Sequence, residues 1–441
     1  MLSSNQKGLK KHRTHFIEKI QFVLFFLLIL FLPTQLGKFY FFPESFISGI
    51  RVDYLAAKIY LTDVIIFALL FNWLWSEKDK ILKWLNLSLI SYLLSLILIF
   101  ISLFILLSQN KFASIYQSLK LLEYLGLAFY IIKTKPRLRL IFLPLTLAVV
   151  FESTLAILQW FKQASVGGPI YWLGERTFSA STPGIALMDI SGTLKLRPYA
   201  TFPHPNVLAG FLTLSLTTIL FAIIKRPKTP GRWPASWRGL LPGGGVWILG
   251  TIALFLSTSL SAIFANLIGI VLIGLHRKSL ILIFFALILI VLSFFVASPK
   301  LSSPQTSKDW KYRQELNLVA LKMFQQNPLI GKGINNFLPQ LPIYKSDVSQ
   351  IYWWQPVHNI YLLILSETGI IGFSITIFIL YKVYKNYKKV GLKSNKWLGF
   401  ILLSQILLIG MIDHYFLTLQ QGQIMATIVI SLAFLPQNSY T

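Results

Sequence analysis

Apolar runs long enough to enter a lipid bilayer recur along the chain, separated by basic or turn-rich breaks, and no other feature restricts the possible folds as much. A helix needs about 20 predominantly apolar residues to cross the hydrocarbon layer. Twelve segments meet or approach this, near 16–33, 61–75, 84–107, 114–132, 140–161, 204–224, 245–258, 260–275, 280–297, 357–381, 397–411 and 415–435. Composition agrees, since 55% of the 441 residues are hydrophobic and only 13% are charged. That surplus exceeds what one or two water-soluble cores absorb. The expected fold class is therefore all-α, a polytopic membrane protein with about 12 transmembrane helices. The first run follows KGLKKHRTH, but PTQLGKFYFF after it offers no small-residue cleavage site, so it reads as a retained helix.

Charge orients the chain. With the N-terminus in the cytoplasm, the inner segments collect most of the 41 Lys and Arg and, of the acidic residues, only Glu77 and Asp79. Positive residues are retained on the cytoplasmic side, which places both termini inside. The loop KRPKTPGRWPASWRG then faces anionic lipid, and no nucleic-acid partner is expected. The absence of cysteine excludes disulfides, thiolate chemistry and cysteine-held metal. Three regions follow: residues 1–297 as an N-terminal membrane bundle with an outer loop at 162–203, residues 298–356 as a large helical extracytoplasmic loop, and 357–441 as C-terminal spans. The two outer segments are longer than connections require, and long structured loops usually carry function.

Chemistry is concentrated where those loops meet spans. In QPVHNIYLLILSETGIIGF, residues 355–373, Pro356 suits a first helical position, with His358 and Asn359 in the first turn at the outer boundary. The positive end of a helix disfavours imidazolium and keeps His358 available as a neutral base. RPYATFPHPNVLAGF, residues 197–211, is built alike, with Pro205 opening a helix and His204 and Asn206 at its mouth. Two helix N-termini on one face, with Arg197 and Arg313 in adjoining loops, suit a strongly anionic group such as a diphosphate. Each histidine could equally be a simple cap. Glu367 lies nine residues after His358, on nearly the opposite helical face, and is expected to bond within the bundle. In DWKYRQELNLVALKMFQQNPLIGKG, Leu316, Val319, Ala320 and Met323 form one apolar stripe of a helix ending at Asn327–Pro328. Lys120 and Glu123, at i and i+3, suit an internal ion pair. Asp413 and His414 are weaker candidates. No outer stretch shows the clustered Asp, Glu and His spacing of a metal site, so no metal and no cofactor are expected.

These residues resemble a known family. HNIYLLILSETGIIG matches the H-N-x9-G-x-x-G pattern of bacterial O-antigen ligases, with His358, Asn359, Gly369 and Gly372 in register. YRQELNLVALKMFQQNPLIGKGINNF is similar to the family segment that places an arginine ahead of a P-L-x-G-x-G turn, and RPYATFPHPNVLAG to its arginine followed by T-F-x-H-P-N. The N-terminal spans match only in kind. Where relatives commonly carry T-x-S-R, this chain reads STSLSA, with Leu260 in the arginine's place; Arg197, Arg176 or Lys195 would then have to substitute. The resemblance implies a membrane-embedded glycosyltransferase of the GT-C type in the bacterial cytoplasmic (inner) membrane. Such an enzyme moves a glycan from a polyprenyl-diphosphate carrier to a glycan, lipid or protein acceptor at the extracytoplasmic face. His358 is then the expected general base and Arg313 and Arg197 the diphosphate ligands, with Asn359, His204, Asn206, Arg176 and Glu367 as substrate-binding candidates. A polymerase with the same donor is the nearest competing expectation. A transporter or flippase is disfavoured because the polar motifs gather at the outer boundary rather than near the midplane.

Overall fold

The computed structural model describes residues 4–85, 101–136, 139–190, 192–224, 243–301, 304–345, 353–388 and 396–435. They are mostly helical: α1 (Ser4–Leu30), α2 (Leu61–Leu85), α3 (Lys111–Thr134), α4 (Arg139–Lys162), α5 (Pro205–Ile224), α6 (Gly243–Leu256), α7 (Leu260–Arg277), α8 (Leu280–Leu301), α9 (Pro304–Gln326), α10 (Phe337–Tyr344), α11 (Ile360–Lys388), α12 (Lys396–Gly410), α13 (Tyr415–Thr418) and α14 (Gln420–Leu432). Each apolar run inside these residues coincides with a helix. The run at 84–107 lies mostly outside them, and the last run is broken into α13 and α14. Ile141–Lys162, Pro205–Ile224, Leu260–Arg277 and Ile360–Tyr387 are long and apolar enough to cross a membrane; Gly243–Leu256, Leu280–Phe295 and Lys396–Gly410 are apolar but shorter. On α8, Leu280, Ile281, Phe284, Phe294 and Phe295 all point outward. A contiguous apolar face of that kind is costly in water and suited to hydrocarbon.

The expectation of an all-α chain needs one correction. Short antiparallel pairs stand in two loops: β1 (Gly37–Tyr40) with β4 (Ala57–Tyr60), β2 (Phe46–Ile47) with β3 (Ile50–Arg51), and β5 (Leu187–Ile190) with β6 (Thr193–Leu196). Strands of two to four residues are too short for a period-2 pattern to stand out from loop sequence.

Helices approach closely where a small residue faces a large one. A β-carbon at Gly210 would lie 2.0 Å from the Tyr415 hydroxyl, and one at Gly269 would lie 2.2 Å from Gln405 Nε2. Gln405 uses this proximity to donate to Thr217 Oγ1 (2.7 Å) and the Ala265 carbonyl (3.0 Å), tying α5, α7 and α12 together. Lys120 is held by Asp63, by Glu123 at 3.5 Å and by Gln420 at 3.2 Å, so the expected pair is part of a larger buried group.

A second apolar cluster caps the bundle. The stripe Leu316, Val319, Ala320 and Met323 of α9 is buried with Phe337, Leu341, Trp353 and Leu363. At about 1.5–3 kcal/mol per large side chain removed from water, this cluster fixes α9 over the start of α11. A backbone clasp adds direction. Helix α11 breaks at Gly369 (φ 61, ψ −164), which frees carbonyls and N–H groups inside an apolar element. The turn 328–333 satisfies them: Ile370 N donates to Pro328 O (2.8 Å), Ile371 N to Leu329 O (3.2 Å), Lys332 N to Ser366 O (3.0 Å) and Gly333 N to Glu367 O (2.9 Å). A β-carbon on Gly369 would meet Leu329 C at 2.4 Å, and one on Gly331 would meet Glu367 C at 2.4 Å. The glycines of the two motifs therefore interlock.

Candidate active site

The mouth of α11 does not begin as the proline suggested. Helical geometry starts at Ile360, and Asn359 is the capping residue, its Oδ1 accepting from Tyr361 N (2.9 Å) and Leu362 N (3.0 Å). Pro356 stands ahead of the helix, so His358 sits in the approach to it. Helix α5 does start at Pro205, and His204 Nδ1 accepts from the Asn206 backbone N–H at 3.1 Å.

The two mouths converge on the turn between α12 and α13. Asn359 Nδ2 donates to Met411 O (3.1 Å), and Arg313 Nη1 donates to Ile412 O (2.5 Å). Those two bonds hold the turn so that Asp413 Oδ1 lies 3.7 Å from His358 Nδ1, with the His358 side chain only 11% exposed. Asp413 Oδ2 accepts from Asn206 Nδ2 (2.8 Å), Asn206 Oδ1 accepts from Arg197 Nη2 (2.7 Å), and Arg197 Nε donates to Ser257 O (2.9 Å). One chain of polar contacts thus runs from the Ser257 carbonyl through Arg197, Asn206 and Asp413 to His358. His414 packs beside it, its ring 4.9 Å from that of His358 and its Nδ1 2.6 Å from Thr418 Oγ1.

Electrostatics set the protonation states. Burial, then the Arg313 charge, lowers His358 below its ordinary 6.5. Burial and Arg197 hold His204 well below it, and burial with repulsion from His358 brings His414 down to about 3. For Asp413, burial opposes charge, but attraction to His358, His414 and Arg313 prevails and keeps the carboxyl far below the usual range. At neutral pH a carboxylate therefore faces a neutral imidazole. Burial lowers Arg197 to about 10, which leaves it a cation.

A cleft of about 580 Å³ opens onto this group, lined by Arg176, His204, Asn206, His358, Asp413 and His414. Arg176 lies against the cleft wall, donating to Pro203 O (2.7 Å) over the Tyr199 ring. Arg197 and Arg313 join the group through the bonds above rather than by lining this cleft. Tyr54, Lys58 and Tyr60 line both the cleft and a second, mainly apolar cavity of about 420 Å³, bounded by Leu121, Leu125, Ile375 and Ile379.

Not every expected residue joins. Glu367 stays apart, its carboxylate accepting from Asn335 N (3.0 Å) and Phe337 N (3.1 Å). It clasps the turn ahead of α10 onto α11 and lines the apolar cavity rather than the polar cleft. Asp413 is more central than its sequence context suggested; an acid buried between two apolar runs was the signal. His358, Asp413 and His414 also offer ligand atoms within 4.8 Å of one another, a grouping that could hold a divalent cation. Linear spacing hid this, because His358 and the Asp413–His414 pair come from different loops. The Asp413 oxygens already accept from Asn206 Nδ2 (2.8 Å) and from the His414 backbone N–H (2.9 Å), whereas His358 Nδ1, 3.7 Å from Asp413 Oδ1, has no hydrogen-bond partner among the described residues.

Apolar helices, a buried histidine–carboxylate pair at the helix mouths and flanking guanidinium groups meet in this one region. The family model for O-antigen ligase matches residues 245–377, which include Arg313, His358 and both interlocking glycines of the α9–α11 clasp. Over this segment the chain is similar to the O-antigen ligase family. A comparison with curated proteins finds no match.

Proposed function

We propose that the protein is a GT-C-type glycosyltransferase that moves a glycan from a polyprenyl diphosphate to an acceptor hydroxyl at the extracytoplasmic face of a bacterial inner membrane. The observation that carries this reading is the neutral His358 imidazole facing the buried Asp413 carboxylate at the edge of a polar cleft. With a proton on Nδ1 toward Asp413, Nε2 is left to accept the acceptor's proton, and the carboxylate stabilises the imidazolium that forms. The new bond joins the acceptor oxygen to the anomeric carbon as the bond to the diphosphate oxygen breaks, so direct displacement inverts that centre. Arg313 and Arg197 neutralise the departing diphosphate, where a planar guanidinium matches phosphate oxygens. Asn206 and Asn359 position Asp413, while His204 and Arg176 line the path of the sugar. The polar cleft and the apolar cavity, which share Tyr54, Lys58 and Tyr60 as lining, suit a ligand with a charged head and an isoprenoid tail. On the sequence-derived topology, every loop that contributes to this group lies on the outer side.

The test is transfer of label from a polyprenyl-diphosphate glycan to a panel of acceptors by the purified protein with a chelator present. Wild type should label an acceptor, and a correctly inserted His358→Ala protein should not. Wild-type turnover by that variant removes the base assignment; a requirement for divalent metal would instead make His358, Asp413 and His414 ligands. A ladder of products identifies a polymerase, and whole-chain transfer a ligase.

A further inference from the structure

The turn that opens α7 carries more cationic chemistry than the reading above uses. Lys300, at the end of α8, donates from Nζ to Thr258 O at 2.5 Å, while the preceding carbonyl, Ser257 O, receives Arg197 Nε at 2.9 Å. Basic side chains from two distant segments are thus anchored on successive carbonyls of one turn. Thr258 itself holds φ +52, a region that β-branched residues rarely adopt. Its side chain is 2% exposed, and its hydroxyl has no hydrogen-bond partner among the described residues. An unpartnered buried hydroxyl costs about 1–3 kcal/mol, so the turn presents an unused polar group at a price in stability. Directly after it begins an 18-residue helix whose capping residue, Ser259, makes no side-chain cap. Ser257 Oγ accepts from the Ser259 N–H (3.3 Å), but Ser259 itself closes off none of the first N–H groups of the helix, which carry its positive end.

At neutral pH the amine at this turn is largely uncharged, and a neighbouring anion would restore its proton. Burial, followed by repulsion from Arg197 and Arg313, lowers the Lys300 ammonium to about 6, with Asp309 offsetting only part of this. The Arg197 guanidinium, an amine that an anion would protonate, an unused hydroxyl and a helix N-terminus whose capping residue makes no side-chain bond are complementary to a multiply charged anion. Leu260, the first residue of α7, supplies no charge here, and Lys195 lies on β6; among the described residues it is Lys300 that reaches the turn.

We propose that the Ser257–Ser259 turn is a phosphate pocket in which Lys300 and the Thr258 hydroxyl, together with Arg197, bind the diphosphate of the donor. This rests on the donor assigned above and adds two ligands to it. Lys300 Nζ rests on a backbone carbonyl; a bound phosphate would draw the amine across and give the hydroxyl its partner.

The experiment is calorimetric titration of detergent-purified full-length protein with inorganic pyrophosphate, for wild type, Lys300→Gln, Lys300→Arg and Thr258→Val, with thermal melts as the check on folding. Wild type should bind, Lys300→Gln should bind about 10-fold or more weakly, and Lys300→Arg should stay near wild type because it keeps the charge. In the transfer assay Lys300→Gln should raise the donor KM more than it lowers kcat. Equal affinity of wild type and Lys300→Gln, or equal loss in the Gln and Arg variants, overturns the role of Lys300. No binding by wild type overturns the pocket, whereas the donor reading stands or falls separately on whether label is transferred.

Discussion

His358 and Asp413 form a unit whose parts have separable signatures. Asp413→Asn keeps the shape but removes the charge that orients and stabilises the imidazole, so transfer should fall by about 100-fold or more with little change in donor KM, measured by initial rates. The pH dependence has a defined sign. A base works only when deprotonated, and burial with Arg313 lowers His358 below 6.5. The acid limb of kcat should therefore lie below pH 6.5, and the rate should decline as pH falls through the lowered value. Stability follows the same direction: with His204, His358 and His414 all lowered, the unfolded chain takes up more protons than the folded one near pH 6. Isolated as the difference in melting temperature between wild type and His414→Gln, this contribution should move against wild type as the medium is taken from pH 7.5 to about 5.5. A difference that stays constant over that range would contradict a neutral buried His414.

The clasp between the turn 328–333 and the break in α11 converts two glycine-containing motifs into one joint. Gly369 combines positive φ with extended ψ, a conformation available essentially to glycine alone, and any β-carbon there would meet the Leu329 backbone. Gly369→Ala should cost about 3 kcal/mol and should reduce transfer even in the folded fraction, because α9 and its Arg313 lose their seat on α11. Thermal unfolding in detergent together with activity per folded molecule checks both parts. The spacing H-N-x9-G was legible in the sequence, but its reason was not. The nine intervening residues run from the Asn359 cap to the point where α11 receives the turn, and that partner lies in a separate segment.

Taken as a whole, the chain places its chemistry on loops at one end of a helical bundle. Because it contains no cysteine, single cysteines report side directly. Trp172→Cys and Gln355→Cys should react with an impermeant maleimide in intact cells, and Lys278→Cys should react only after permeabilisation; the reverse pattern would put His358 on the cytoplasmic side. Hydropathy, the proline and asparagine at helix mouths and the stripe on α9 were readable from residue order, since each depends on neighbours within a few turns. The helices and the separate position of Glu367 could be anticipated this way. Asp413 beside His358, Arg197 reaching Asn206, and Lys300 on the Thr258 carbonyl could not, because each pair joins loops far apart in the chain. Their meeting depends on how closely α5, α7 and α12 approach at Gly210 and Gly269 and on how the clasp seats α9. Residue order can specify which side chains stand at helix ends; only packing between helices decides which of those ends face one another.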